Sequence, residues 1–222
     1  MEEDIHYYSG DEIEVSYDVN RCIHARECVR GLPGVFDPDK RPWIEPDNAD
    51  VDDLSDVIVD CPTGALQFER TDGGPDEPIP DENVIIVAPD GPLYLRGDIE
   101  IVTDDDTTLL TDTRVALCRC GASENKPLCD NSHVEVDFEA AGTETAPESE
   151  TQAEDADGVL TVRPMPDGPI RIQGQFQIWQ ADKTATDRAS STTLCRCGGS
   201  GNKPFCDGTH SEIGFSSEDQ ST

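Results

Sequence analysis

Residues 195–210, "CRCGGSGNKPFCDGTH", put three thiols and one imidazole into one short loop, and residues 118–133, "CRCGASENKPLCDNSH", do the same a second time. Thiolate sulfur and imidazole nitrogen are donors that suit iron and zinc. Each copy reads C-x-C-x2-S-x3-P-x-C-D-x2-H. The candidate ligands are therefore Cys118, Cys120, Cys129 and His133, then Cys195, Cys197, Cys206 and His210. In an extended segment, side chains two apart share a face, so the C-x-C cysteines can grip one metal atom. A helix is predicted to put Cys129 and His133, four apart, on one face, and likewise Cys206 and His210. Asp130 and Asp207 are expected to cap its exposed N–H groups. Asn131 and Gly208 occupy a position suited to positive φ, and Pro127 and Pro204 stiffen the approach to the third cysteine.

Three cysteines remain, in "DVNRCIHARECVRGLPGVFDP" and "VIVDCPTGALQFER". Cys22, Cys28 and Cys61 spell C-x5-C…C-P, with Ala25 where a middle cysteine would complete C-x2-C-x2-C. Three thiolates suit a 3Fe–4S cluster, or a 4Fe–4S cluster whose fourth iron is held by water or another residue. His24, beside the vacant position, is the candidate fourth ligand; its other reading is a solvent-facing loop histidine. All nine cysteines then belong to a site, three to each.

The elements that must position these groups follow from pattern. Residues 1–70 form a first domain, in which "VDDLSDVIVD" (51–60) reads as an amphipathic helix delivering Cys61. "TDGGPDEPIPDEN" (71–83) is a linker of Gly, Pro and acids. Beyond it, "PDGPLYLRGDIEI" (89–101) and "PDGPIRIQGQFQI" (166–178) repeat at the same offset of 77 that separates the two cysteine motifs. The repeated unit thus carries its own strands, with alternating Leu93/Leu95 and Ile170/Ile172. Domains over 84–138 and 159–216 follow, joined by an acidic stretch (139–158) without aromatics, expected to be disordered or loosely held. Each half is too small to bury a good core, so the two should pair about a pseudo-twofold axis. The fold class is α+β: a small N-terminal domain plus a β-rich tandem pseudo-dimer with short helices at the ligand loops.

Composition narrows the setting. Forty-eight acidic residues face 16 basic ones, a formal net charge of −32. Nucleic acid and anionic membranes are poor partners for such a surface. The lysines are only Lys40, Lys126, Lys183 and Lys203, a usage similar to that of proteins from salt-loving organisms. No signal-peptide pattern opens the sequence and no run reaches transmembrane length. A cytoplasmic setting is expected, where thiols stay reduced and cysteine clusters read as metal sites.

The loop motif resembles that of the CDGSH iron–sulfur proteins, the mitoNEET-like family, which hold a 2Fe–2S cluster through three Cys and one His. The second copy, "CDGTH", fits that pattern; the first, "CDNSH", departs at one non-ligand position. The resemblance implies two 2Fe–2S clusters in a tandem pseudo-dimer, a form in which a monomer suffices. The segment from Glu12 to Arg70 resembles divergent single-cluster ferredoxins, whose Cys-Pro ending turns the chain back into a strand. Structural zinc is the competing occupant of Cys3His, although zinc loops favour C-x2–4-C spacing.

A neutral imidazole in place of a thiolate removes negative charge from a cluster and makes reduction easier, as in Rieske centres. It also titrates near neutral pH. No nucleophile triad, phosphate loop or dinucleotide fingerprint is present, so a self-contained enzyme is not indicated. The expected function is electron transfer with a partner reductase or oxidase. The alternatives are cluster transfer to an apo iron–sulfur protein or redox and pH sensing, and then a zinc-stapled interaction module.

Overall fold

The structure is a computed structural model that describes residues 4–142, 158–182, 184–185 and 188–217. They gather into two compact units, Met1–Pro78 and Ile79–Thr222. Of the acidic stretch 139–158, residues 143–157 lie outside the described residues. No helix among the described residues is long and apolar enough to cross a membrane.

In the first unit, strands β1 (Ile5–Ser9), β2 (Ile13–Asp18) and β3 (Leu66–Arg70) form an antiparallel sheet in the order β1-β2-β3. One short helix, α1 (Glu27–Gly31), carries Cys28; a longer one, α2 (Val51–Val59), leads to Cys61. The longer helix forms for visible reasons. Asp50 caps it by accepting from Asp52 N, Leu54 and Ile58 fall on one face and are fully buried, and Asp52, Asp53 and Asp56 stay in water. Pro62 bars its continuation. Leu54 and Ile58 pack with Ile13, Val15, Phe36 and Leu66, and each contributes about 1.5–3 kcal/mol on burial. The return strand β3 pairs with β2 from Tyr17↔Leu66 to Ile13↔Arg70.

The second unit begins within the 71–83 segment. Asn83, at its end, is buried and donates from Nδ2 to Gly158 O and Gln175 O, both at 2.9 Å, so this residue joins the two repeats rather than spacing them. The first repeat supplies β4 (Val84–Val87), β5 (Leu93–Val102) and β6 (Thr108–Leu117); the second supplies β7 (Leu160–Pro164), β8 (Ile170–Trp179) and β9 (Ala189–Leu194). Together they make one six-stranded sheet. Strand β4 pairs antiparallel with β5 of its own repeat and parallel with β8 of the other. Strand β7 does the reverse, antiparallel with β8 and parallel with β5. Both lie between the long strands, with β6 outside β5 and β9 outside β8.

Alternation then drives one face of each strand into a common core. Leu93, Leu95, Ile99 and Ile101 of β5 and Ile170, Ile172, Phe176 and Ile178 of β8 are buried together. The two repeats share this core, which neither could close alone.

Candidate metal centres

Each ligand loop leaves the end of an outer strand. Leu117 ends β6 and Leu194 ends β9, both fully buried, so Cys118 and Cys195 enter the loops anchored and buried. The second cysteine follows two residues on, and Cys118 Sγ and Cys120 Sγ stand 3.8 Å apart. Cys195 Sγ and Cys197 Sγ are also 3.8 Å apart. Across the loop, Cys129 Sγ lies 3.4 Å from His133 Nδ1, and Cys206 Sγ 3.4 Å from His210 Nδ1.

These separations test what the donors fit. Two thiolates on one tetrahedral metal, with bonds of about 2.3 Å, stand about 3.8 Å apart; a thiolate and an imidazole nitrogen stand about 3.5 Å apart. Each pair is therefore spaced to share one metal atom. Among the described residues, no three His, Cys, Asp or Glu side chains converge on a single ion position. The close contacts in each loop thus fall into two pairs, thiol with thiol and thiol with imidazole.

The helix expected to carry both Cys129 and His133 is shorter than its spacing predicts. It spans Ser132–Glu135 (α3), and its twin Thr209–Glu212 (α4), so His133 and His210 are helical while Cys129 and Cys206 precede the first turn. The reason is the residue between them. Asn131 at φ 79° and Gly208 at φ 93° are left-handed and interrupt any helix from the cysteine. The caps do form: Asp130 Oδ1 accepts from Ser132 N and Asp207 Oδ1 from Thr209 N, both at 3.0 Å. The second carboxylate oxygens accept from Glu124 N and Gly201 N at 2.8 Å, closing each loop on itself. Ser123 and Ser200 donate to Leu128 O and Phe205 O. Lys126 and Lys203 donate to Ser123 O and Ser200 O. The peptides before Pro127 and Pro204 are cis.

Residue-type reasoning passes over Arg119 and Arg196, each set between two ligands. Both are buried, at 1% and 3% exposure. Arg119 donates from Nε to Gly91 O and from Nη2 to Ala88 O; Arg196 donates to Gly168 O and Met165 O. Phe138 and Phe215 cover the two guanidiniums, at 5.2 Å and 5.4 Å to the ring centroids. Alternation was the available signal: if Cys118 and Cys120 point one way, Arg119 points into the body.

The electrostatics resist an uncompensated pair of thiolates. A hydrogen bond from Cys120 holds the Cys118 thiol at about 6 and correspondingly pushes Cys120 up. Burial pushes Cys129 up to about 12 and raises Cys195. Burial also lowers His133, which favours the neutral, ligating imidazole. Full ionisation of these thiols therefore awaits a cation.

The first unit gathers Cys22, Cys28 and Cys61 around one cavity, of about 350 Å³ including its open mouth, lined also by Tyr17, Trp43 and Leu66. Ala25, Arg26 and Glu27 line the same cavity. His24 is exposed, with Nδ1 3.9 Å from Cys22 Sγ, and is absent from the cavity wall. Burial and then the neighbouring Cys61 push Cys28 up to about 11. Burial and a hydrogen bond with Cys22 raise Tyr17. Thr63 Oγ1 stands 3.6 Å from Cys61 Sγ. His6 pairs with Asp4 at the exposed first strand and does not line the cavity.

Comparison with known proteins meets this geometry from outside. The family model "Divergent 4Fe-4S mono-cluster" matches residues 8–71. The family model "Iron-binding zinc finger CDGSH type" matches twice, at 90–134 and 167–211. The chain is 41% identical over 63 residues to the uncharacterized protein YjdI of Escherichia coli (strain K12), a span of 28% of this chain and 83% of that one. YjdI of Escherichia coli O157:H7 matches to the same extent. No solved structure matches the chain.

Proposed function

Because the chain belongs to the divergent 4Fe-4S mono-cluster family through its first unit and to the CDGSH iron-binding family through its two repeats, we propose that this iron–sulfur protein is an electron carrier with three clusters. The observation that carries the reading is the pairing of donors, 3.8 Å between thiols and 3.4 Å between thiol and imidazole, in both loops. Two pairs with one metal atom each suit a 2Fe–2S cluster better than a single zinc. In the first unit, three thiols around one cavity suit a 3Fe–4S or 4Fe–4S cluster.

Bound there, the clusters supply reversible one-electron transfer. The chain's own groups set its conditions. Arg119 and Arg196 keep a buried positive charge behind each C-x-C pair, which favours the more negative, reduced state. Nδ1 of His133 and of His210, beside Cys129 and Cys206, would hold the iron, and Nε2 would stay outside the metal site. The division of sites follows residues 1–70, 84–138 and 159–216. The net charge of −32 favours a cationic reductase or oxidase as partner, and free thiols favour the cytoplasm.

The test is His210→Cys, followed by redox titration across pH. Adding a thiolate should lower the second loop's midpoint potential and flatten its pH dependence. An unchanged potential and slope contradict histidine ligation. A second reading, cluster donation, draws on the partial exposure of Cys120, Cys197 and Cys206.

A further inference from the structure

The two CDGSH loops share one hydrogen-bond frame but differ in what closes it. Ala122, Glu124 and Asn131 of the first are Gly199, Gly201 and Gly208 in the second. A Cβ on Gly199 would lie 3.0 Å from both Ile213 Cδ1 and Thr209 Cγ2, so crowding explains that glycine. Packing does not explain the other two. A Cβ on Gly201 would meet only Asp207 Oδ2, at 3.6 Å, an ordinary contact. Gly208 has nothing within 4 Å, and the first loop meets the same positive φ with Asn131. What these glycines add is backbone freedom.

Exposure runs the same way. The third cysteine of the first loop, Cys129, is 3% exposed, whereas Cys206 is half-buried. The exit from the first loop is also held twice. Phe138 is faced by Arg119 of its own repeat at 5.2 Å and by Lys203 of the other at 6.0 Å. Phe215 is faced by Arg196 at 5.4 Å.

We propose that the second CDGSH site is the exchangeable one: it passes its 2Fe–2S unit to an acceptor protein with free cysteines, while the first site retains its own. This rests on the reading that both loops hold clusters. In the exchange, iron bonds to Cys195, Cys197, Cys206 and His210 break and bonds to acceptor thiolates form. The three freed thiolates take up protons given off by the acceptor thiols, any excess passing to solvent. No electron changes hands, so no oxidant or reductant enters.

The experiment mixes cluster-loaded protein with an apo-ferredoxin at neutral pH without oxygen, and quenches with iodoacetamide over time. Peptide mapping then reads which thiols have been uncovered. Cys195, Cys197 and Cys206 should be alkylated about ten-fold faster than Cys118, Cys120 and Cys129. That ratio corresponds to about 1.4 kcal/mol in the opening of one loop over the other. Gly201→Glu with Gly208→Asn should slow the second loop toward the first, and Glu124→Gly with Asn131→Gly should speed the first. Equal rates in the unaltered protein, or a faster first loop, overturn the proposal. Protein without labile sulfide before the acceptor is added fails the cluster reading itself, a separate result.

Discussion

Arg119 and Arg196 are buried side chains that tie each ligand loop to a turn of its own repeat. Each fixes the turn at 88–92 or 165–169 through two carbonyls and lies under an aromatic ring. Ala88 O and Met165 O also accept from Gly91 N and Gly168 N, so removing an arginine takes the side-chain donor chiefly from the carbonyl of a buried glycine, Gly91 or Gly168. Arg196→Met should cost about 3 kcal/mol in urea unfolding, and Arg196→Lys should recover little, because a single ammonium cannot reproduce the planar fork. Full recovery by lysine would reduce the role to charge alone. The same turn holds a titrating group. Asp167 accepts from Ser217 N at 2.7 Å and from Ser217 Oγ, and these bonds lower its pKa below the usual carboxylate range. A depressed folded value stabilises above the unfolded pKa of about 3.9 and loses that contribution as pH falls through the folded value. Asp167→Asn should thus be less stable than the parent at pH 7, and the gap between their unfolding curves should shrink in acid. A gap that stays constant to below pH 3 would deny the linkage.

At the scale of elements, the helix over Val51–Val59 is legible because cap, apolar stripe and following proline all agree. The C-x-C pairs are legible because extended backbone has a fixed period of two. The ligand helices are only half legible. A four-residue spacing mimics a helix, but Asn131 and Gly208 sit at positive φ and start the helix after the cysteine. The arginines between the ligands carry no motif of their own, and their role shows only once the PDGP turns fold back beneath them. His24 is adjacent to the vacant ligand position in sequence, yet it stands outside the cavity wall. Strands β4 and β7, which pair across the repeats, are not legible either, since parallel partners as distant as Ile99↔Leu160 and Val84↔Gln177 leave no local pattern.

For the whole molecule, the repeat means that the two ligand loops touch. A Cβ on Gly121 would fall 2.7 Å from Cys197 O, and one on Gly198 would fall 2.4 Å from Cys120 O. Both glycines also have positive φ, 84° and 76°. Each loop therefore rests on the backbone of the other's second cysteine. Gly198→Val should disturb the first site as well as its own, by about 1–3 kcal/mol of strain read as altered spectra from both CDGSH sites. A change confined to Cys195–His210 would mean the loops are independent. What the nine cysteines hold decides between an iron–sulfur protein and a zinc-stapled one. The most direct measurement is iron, zinc and acid-labile sulfide per chain, on protein purified without oxygen. About eight sulfides are expected with seven irons if the first unit holds 3Fe–4S, or with eight irons if it holds 4Fe–4S. About three zincs per chain with no sulfide would contradict it.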